Sequence, residues 1–439
     1  MELVLPSASN SAEKTSFWKN PVAWLKEKNL SRGYWIFFSA AFFFDAGFAV
    51  YFFLFNLYLL DCRFNERAMG WISGAFTLGS LVGTLPAGAL TQKLGVRPLL
   101  IFLFVTAPLM NAVRAVWLWE PAQIGVAFLA GLAMSVWGVC FLPAVARLTT
   151  EGNRTSGFSF IFSVSVGTSM LGGIVCGYLR QWLAMVGVAL QPADTKRLIL
   201  LLSCGIAFLG LIPVLRLHLP LHAEKSNRDP DPVHWNWLSK WKIGPFLRRY
   251  LPLMALWSAV LAAFNPFANV YLTRNLHVPM AQIGLIFSTV QVLQFFMGIL
   301  TPIVFRAVGL MNGIVLTQVA AAVVLGCLAG STNQRLAIAL YLVYSAAQWM
   351  SAPGLYNLVM NETPDSERSA ASAMMMFCNA LMASLATAAA GVLLTRFGYP
   401  PVLLGLALAA LAIALVFRFN VAPLTHEYSR VSQVPALKD

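Results

Sequence analysis

Residues 33–60 read GYWIFFSAAFFFDAGFAVYFFLFNLYLL, an apolar run interrupted by a single acid, Asp45. About 20 apolar residues in helical form cross a hydrocarbon core of roughly 30 Å, and a helix satisfies its backbone hydrogen bonds internally where no water is present. The run is therefore read as a membrane-crossing helix. Working outward, the same criterion predicts about twelve spans. They fall near 33–60, 69–92, 97–118, 122–147, 157–183, 198–216, 248–273, 281–305, 311–331, 335–360, 370–395 and 400–419. The short alternating segments of a β-barrel do not occur. With 59% hydrophobic and 11% charged residues and a mean hydropathy of +0.71, 439 residues hold too few polar groups to cover a soluble globule. The predicted fold is an all-α membrane protein.

The chain also repeats itself. An offset of 214 positions carries Gly70 onto Gly284, Gly95 onto Gly309, Arg154 onto Arg368 and Gly177 onto Gly391 without a gap. Two similar bundles packed face to face can rock about a site between them and expose it to each side in turn, so an internally duplicated membrane chain points to a transporter.

The expected organisation follows from charge and linkers. Most of the 30 Lys and Arg fall on one side when the N-terminus is cytoplasmic, which predicts both termini inside the plasma membrane. The net charge of +13 then reflects topology and contact with anionic lipid, not nucleic acid. Residues 1–32 carry Phe17, Trp18, Trp24 and Leu25 among Lys19, Lys26 and Lys28, and read as a basic amphipathic segment on the membrane surface with no signal peptide. An N-terminal bundle over 33–216, a linker over 217–247, a C-terminal bundle over 248–419 and a tail over 420–439 complete the division. Trp235, Trp237, Lys240, Trp241 and Lys242 predict an interfacial helix at the end of the linker. The six cysteines lack paired spacing and read as packing residues, so neither a disulfide framework nor a zinc site is expected.

The segment GALTQKLGVRPLL, 88–100, resembles the loop signature between the second and third helices of the major facilitator superfamily. Gly88, Leu90, Lys93, Gly95 and Arg97 match it, while Gln92 stands where the family usually has Asp and Val96 where it often has a basic residue. The resemblance implies twelve helices as two six-helix bundles. It also implies a central cavity lined by the first, fourth, seventh and tenth spans, and alternating access. From the residues, Gly88 and Gly95 are expected to allow close helix approach and a tight turn, and Lys93 and Arg97 to hold the loop at the cytoplasmic face. The resemblance assigns this loop to gating, with Gln92 weakening the usual charged contact between halves.

In the second half Gly309 recurs and Arg306 falls opposite Gln92. After the fourth and tenth spans, TTEGNRTSGFS and TPDSERSAAS repeat Arg154 and Arg368, each three residues after an acid, Glu151 or Asp365. This spacing suits anchoring of the helix starts, and a latch between conformations is the alternative. The Arg before Leu-Gln-Gly found in the fourth span of proton-coupled members is missing, since Ala127 and Ala130 occupy the Arg and Gln positions. Gly167, Gly172, Gly173 and Gly177 resemble the Gly-Pro motif of drug antiporters only loosely, because no proline follows.

Polar groups deep in hydrocarbon are costly and mark pathways or pairings. Asp45 lies about 12 residues, or roughly 18 Å, from the start of its span. It reads either as a proton-coupling or substrate-binding acid, or as a carboxylate permanently paired within its bundle. Arg114, beside Trp117 and Trp119, is expected to snorkel to the outer interface, with an ion pair to Asp45 as the alternative. Tyr51 and Asn56 on the first span, Asn265 and Asn269 on one face of the seventh, and Ser345, Gln348, Trp349 and Tyr356 on the tenth are candidates for the cavity wall. Gln291, Gln294 and Asn379, with Met374, Met375, Met376 and Met382, extend it.

These readings predict a secondary transporter of a small, partly apolar organic solute, with efflux favoured by the aromatic and Met-rich lining and protons as a possible coupling ion. A lipid flippase and a non-transporting sensor or scaffold are the alternatives. No P-loop, nucleophile elbow or HExxH occurs, so no enzyme and no cofactor are expected. The expected partners are a small-molecule substrate and membrane lipid.

Overall fold

The computed structural model describes residues 30–150, 153–185, 191–218, 244–364 and 368–424. The basic segment before residue 30, residues 219–243 of the linker and the tail after 424 lie outside them, as do Glu151 and Asp365. The six helical spans of the first half are Arg32–Asp61, Glu66–Leu94, Val96–Val116, Glu120–Leu148, Arg154–Met185 and Pro192–Leu209, the last continued by Leu211–Arg216. The second half runs through Pro245–Phe264 with Ala268–Arg274, then Met280–Val308, Leu310–Gly330, Gln334–Glu362, Arg368–Phe397 and Tyr399–Asn420. These are called the first to twelfth spans.

Local chemistry starts and stops the helices where the sequence permits. Ser31 accepts the Tyr34 N–H, Asn65 that of Ala68, and Asn333 those of Arg335 and Leu336. Proline opens the sixth, seventh and twelfth spans in the first turn, where its missing N–H has no partner to lose. Among the described residues, eleven helices are long and apolar enough to cross a membrane. Gln334–Glu362 is long enough, but polar residues such as Gln348, Ser345 and Ser351 hold its hydropathy down. That makes the tenth span the most polar wall of the bundle.

The repeat is visible in the backbone. Gly95 joins the second and third spans at φ 86°, and Gly309 joins the eighth and ninth at φ 85°. Only glycine takes this left-handed turn without strain. Gly95 thus serves the turn, whereas a Cβ at Gly88 would meet open space in this conformation. Gly95→Ala and Gly309→Ala should each cost about 1–3 kcal/mol of stability in detergent. Gly88→Ala, at a helical position, should change it by less than about 0.5 kcal/mol. Equal melting shifts at Gly88 and Gly95 would contradict this account.

The two halves touch along the second and eleventh spans and along the fifth and eighth. Gly70 lies against Gly391, where a Cβ would stand 2.9 Å from the partner Cα; Gly284 lies against Gly177, where the figure is 3.2 Å. The 214-residue offset carries the first pair onto the second. One turn further in, Ser384 Oγ donates to the Gly74 carbonyl at 2.7 Å and Ser288 Oγ to that of Met170 at 2.6 Å. The same offset relates these contacts, with serine and acceptor exchanged between the helices.

Candidate functional site

All these inter-half contacts lie on one side of the molecule. Helices of alternating direction place Arg32, Arg216, Pro245 and Asn420 together, here termed the terminal side. On the far side, Glu66 Oε1 accepts from Arg274 Nη1 at 2.6 Å, and the Arg67 N–H donates to Thr395 Oγ1 at 2.8 Å. Deeper, Asn56 Nδ2 donates to the Pro266 carbonyl at 2.6 Å, Asn269 Nδ2 to that of Phe53 at 2.9 Å, and the Phe53 and Phe287 rings meet edge to face at 5.2 Å. With the bonds of Ser384 and Ser288, these six hydrogen bonds between the halves all fall on the far side. Toward the terminal side, Cβ positions built on Gly88, Gly167 and Gly298 of the second, fifth and eighth spans meet nothing. The halves close at the far side and part toward the terminal side.

Asp45 lies midway along the first span. Helical spacing puts Asp45, Ala49, Phe52 and Asn56 on one face of the first span, the face whose far end meets the seventh span. The Asp45 side chain is half-buried and interacts with the Ser165 hydroxyl of the fifth span. Tyr51 turns the other way: it is fully buried, and its hydroxyl donates to the Asn111 carbonyl at 2.9 Å inside the first bundle.

Arg114 does not snorkel. It is 3% exposed, donates from Nη1 to Asn111 Oδ1 at 3.0 Å, and lies 4.2 Å from the Phe55 ring centroid and 5.7 Å from that of Phe76. Inward aromatic faces and the Asn111 amide give the guanidinium a better setting than the interface. Among the described residues no carboxylate pairs with it, and Asp45 and Arg114 form no ion pair. The stability changes of Asp45→Asn and Arg114→Met should therefore add to within about 0.5 kcal/mol in the double variant. Strong rescue on combining them would restore the ion pair.

The seventh span departs from a regular helix. Pro266 lacks an N–H, and Asn265–Phe267 form a 3-10 turn. Across this break Asn265 and Asn269, expected on one face, take partners on different helices. Asn269 reaches the first span, whereas Asn265 pairs reciprocally with Gln348 of the tenth, Nδ2 to Oε1 and Nε2 to Oδ1, both at 3.4 Å. Trp349 and Tyr356 share an exposed face of the tenth span, while Ser351 accepts the Trp257 indole N–H. The Asn379 carbonyl accepts from Ser258, and its own Oδ1 is buried without a partner. Gln291 and Gln294 are half-buried on the eighth span.

The loop residues divide. Lys93 is exposed, and Arg97 Nη2 donates to the Leu215 carbonyl at 2.7 Å, within its own half. Arg368 Nε donates to the carbonyls of Met360 at 2.8 Å and Thr363 at 3.2 Å, where a cation suits the end of the tenth span. The side chains of Gln92 and Arg154 lie outside the described residues. Sequence reading does not single out Glu66, Arg274, Ser288 or Ser384. Glu66 and Arg274 look like ordinary charges at span ends, and their pairing across the halves has no local signal.

Two bundles related by a repeat, joined at one side of the membrane and parted toward the other around polar groups at mid-depth, define a transporter fold. A family model of the Major Facilitator Superfamily matches residues 36–387 and again 253–436. The chain belongs to that superfamily. Its fold is shared by the nucleoside transporter NupG, at 16% identity over 89% of this chain and 99% of that one, with a TM-score of 0.73. The xylose transporter XylE from E. coli, in an inward open conformation, aligns at 15% identity over 88% and 94% with a TM-score of 0.65. A bacterial homolog of the human lysosomal transporter Spinster aligns at 11% identity over 91% and 98% with a TM-score of 0.68. A search of curated proteins returned no sequence match.

Proposed function

We propose that the chain is an alternating-access secondary transporter of a small, partly apolar organic solute, coupled to protons through Asp45. The single observation that carries this reading is the division of the inter-half contacts: direct packing and hydrogen bonds on the far side, open space toward the terminal side. A rigid scaffold has no use for two matched interfaces that contact on one side only, whereas rocking of one half against the other exchanges which side is open. The bundle sits in the plasma membrane with both termini cytoplasmic, so this conformation opens inward. The charge bias across the spans supports that orientation.

Purified protein in liposomes should exchange labelled for unlabelled solute across a screened panel, and an inert scaffold would not. For orientation, Lys93→Cys in a background without accessible cysteines should react with an impermeant maleimide only in inverted vesicles. Labelling of intact cells would reverse the assignment.

A further inference from the structure

The Asn265–Gln348 pair joins two carboxamides edge to edge, each donating to and accepting from the other. Interchanging oxygen and nitrogen on both groups reproduces the same pair, so its geometry does not depend on how either amide is oriented. Both bonds are 3.4 Å long, beyond the usual range of about 2.7–3.2 Å, and so are weakly held. Asn265 is exposed and Gln348 nearly buried, so one side of the pair is open and the other fixed in the wall of the tenth span.

Its position matters as much as its chemistry. Asn265 immediately precedes Pro266, whose carbonyl accepts from Asn56 of the other half. The pair therefore lies at the terminal-side edge of the far-side closure, where the gap between the halves ends. It also sits at the break in the seventh span, where a change at Asn265 can pass directly to the Asn56 contact. Discontinuous helices in transporters place backbone and side-chain polar groups at the solute site.

Resting on the transporter reading, we infer that the Asn265–Gln348 pair is the recognition site for an uncharged planar group with an N–H donor beside a C=O acceptor, the edge of a primary carboxamide or a lactam ring. Such an edge replaces one long amide–amide contact with its own donor and acceptor, so the pair opens without leaving a polar group unsatisfied. A solute lacking the N–H leaves the Gln348 or Asn265 oxygen without a partner, which is where discrimination arises. No charge is needed, and no charged side chain hydrogen-bonds to either amide among the described residues.

The test measures binding and transport with the same full-length preparation. Thermal stabilisation is titrated with nicotinamide and uracil, which separate the carboxamide and lactam sources, and with N,N-diethylnicotinamide and 1,3-dimethyluracil, which lack the N–H. At least one edge-bearing probe should stabilise the protein, its alkylated counterpart should bind about tenfold more weakly or worse, and Gln348→Leu should lose a similar factor. The probe pairs need no variant, so misfolding of Gln348→Leu cannot hide the answer. Equal binding of the alkylated probes, or no binding by any edge-bearing probe, overturns the inference. If xylose or tetraphenylphosphonium nevertheless exchanges across the liposomes, the transporter reading stands and only the solute class falls. If nothing exchanges, the transporter reading falls with it.

Discussion

Gly391→Leu should transport at no more than about a tenth of the wild-type rate while still binding ligand from the far side. A side chain there would drive into the Glu66 carbonyl and the Gly70 backbone. Overpacking costs about 1–3 kcal/mol, and each 1.36 kcal/mol is about a tenfold change in an equilibrium or rate. That penalty falls on the far-side-closed state alone, because the contact is lost when the far side opens. Gly177→Leu, at the related position, should act in the same direction, since Gly177 lies against Ala281 and Gly284. Gly88→Leu should do the reverse. Its side chain meets open space here and matters only when the terminal sides approach, so it favours the present conformation and slows turnover from the other direction. Reactivity of single cysteines placed on each side reports the bias directly. Wild-type reactivity and rate in Gly391→Leu would remove these interfaces from the transport cycle.

Asp45→Asn should abolish accumulation of solute driven by a pH gradient and spare exchange of solute down its own gradient. An ionised carboxylate at mid-membrane is costly unless paired, and among the described residues Asp45 has the Ser165 hydroxyl of its own bundle and no ion-pair partner. Pairing within the bundle to Ser165 is the competing account of this residue, and the variant separates it from proton coupling. The amide mimics the protonated state and cannot release a proton, so a carrier that needs to load and unload one at Asp45 loses coupling while it keeps its conformational cycle. Purified variant in liposomes, with and without an imposed pH step, makes the comparison. Full pH-driven accumulation in Asp45→Asn would exclude Asp45 as the coupling group. Loss of both accumulation and exchange would assign it to solute binding instead.

The span count, the near-boundaries of the helices and the repeat were all legible along the chain, because hydropathy is a property of a window of about 20 residues and needs no knowledge of what packs where. The turn at Gly95 was legible for the same reason: backbone conformation is local, and its partner at Gly309 turns identically. Contact is a different kind of information. The offset relates Gly70 to Gly284 and Gly177 to Gly391, yet Gly70 touches Gly391 and Gly284 touches Gly177, because the related helices lie on opposite seams between the halves. Periodicity likewise placed Asn265 and Asn269 on one face until the 3-10 turn at Pro266 sent one to Gln348 and the other to the first span. Arg114 could leave hydrocarbon by reaching outward or by finding partners inward, and only the position of Asn111, Phe55 and Phe76 around it decided for the interior. Along the chain, then, the sequence determines which segments must cross the membrane. Which polar groups meet across the bundle depends on helix direction and rotation, and these are set by packing among segments far apart in sequence, 216 residues between Asn269 and Phe53 and 208 between Glu66 and Arg274.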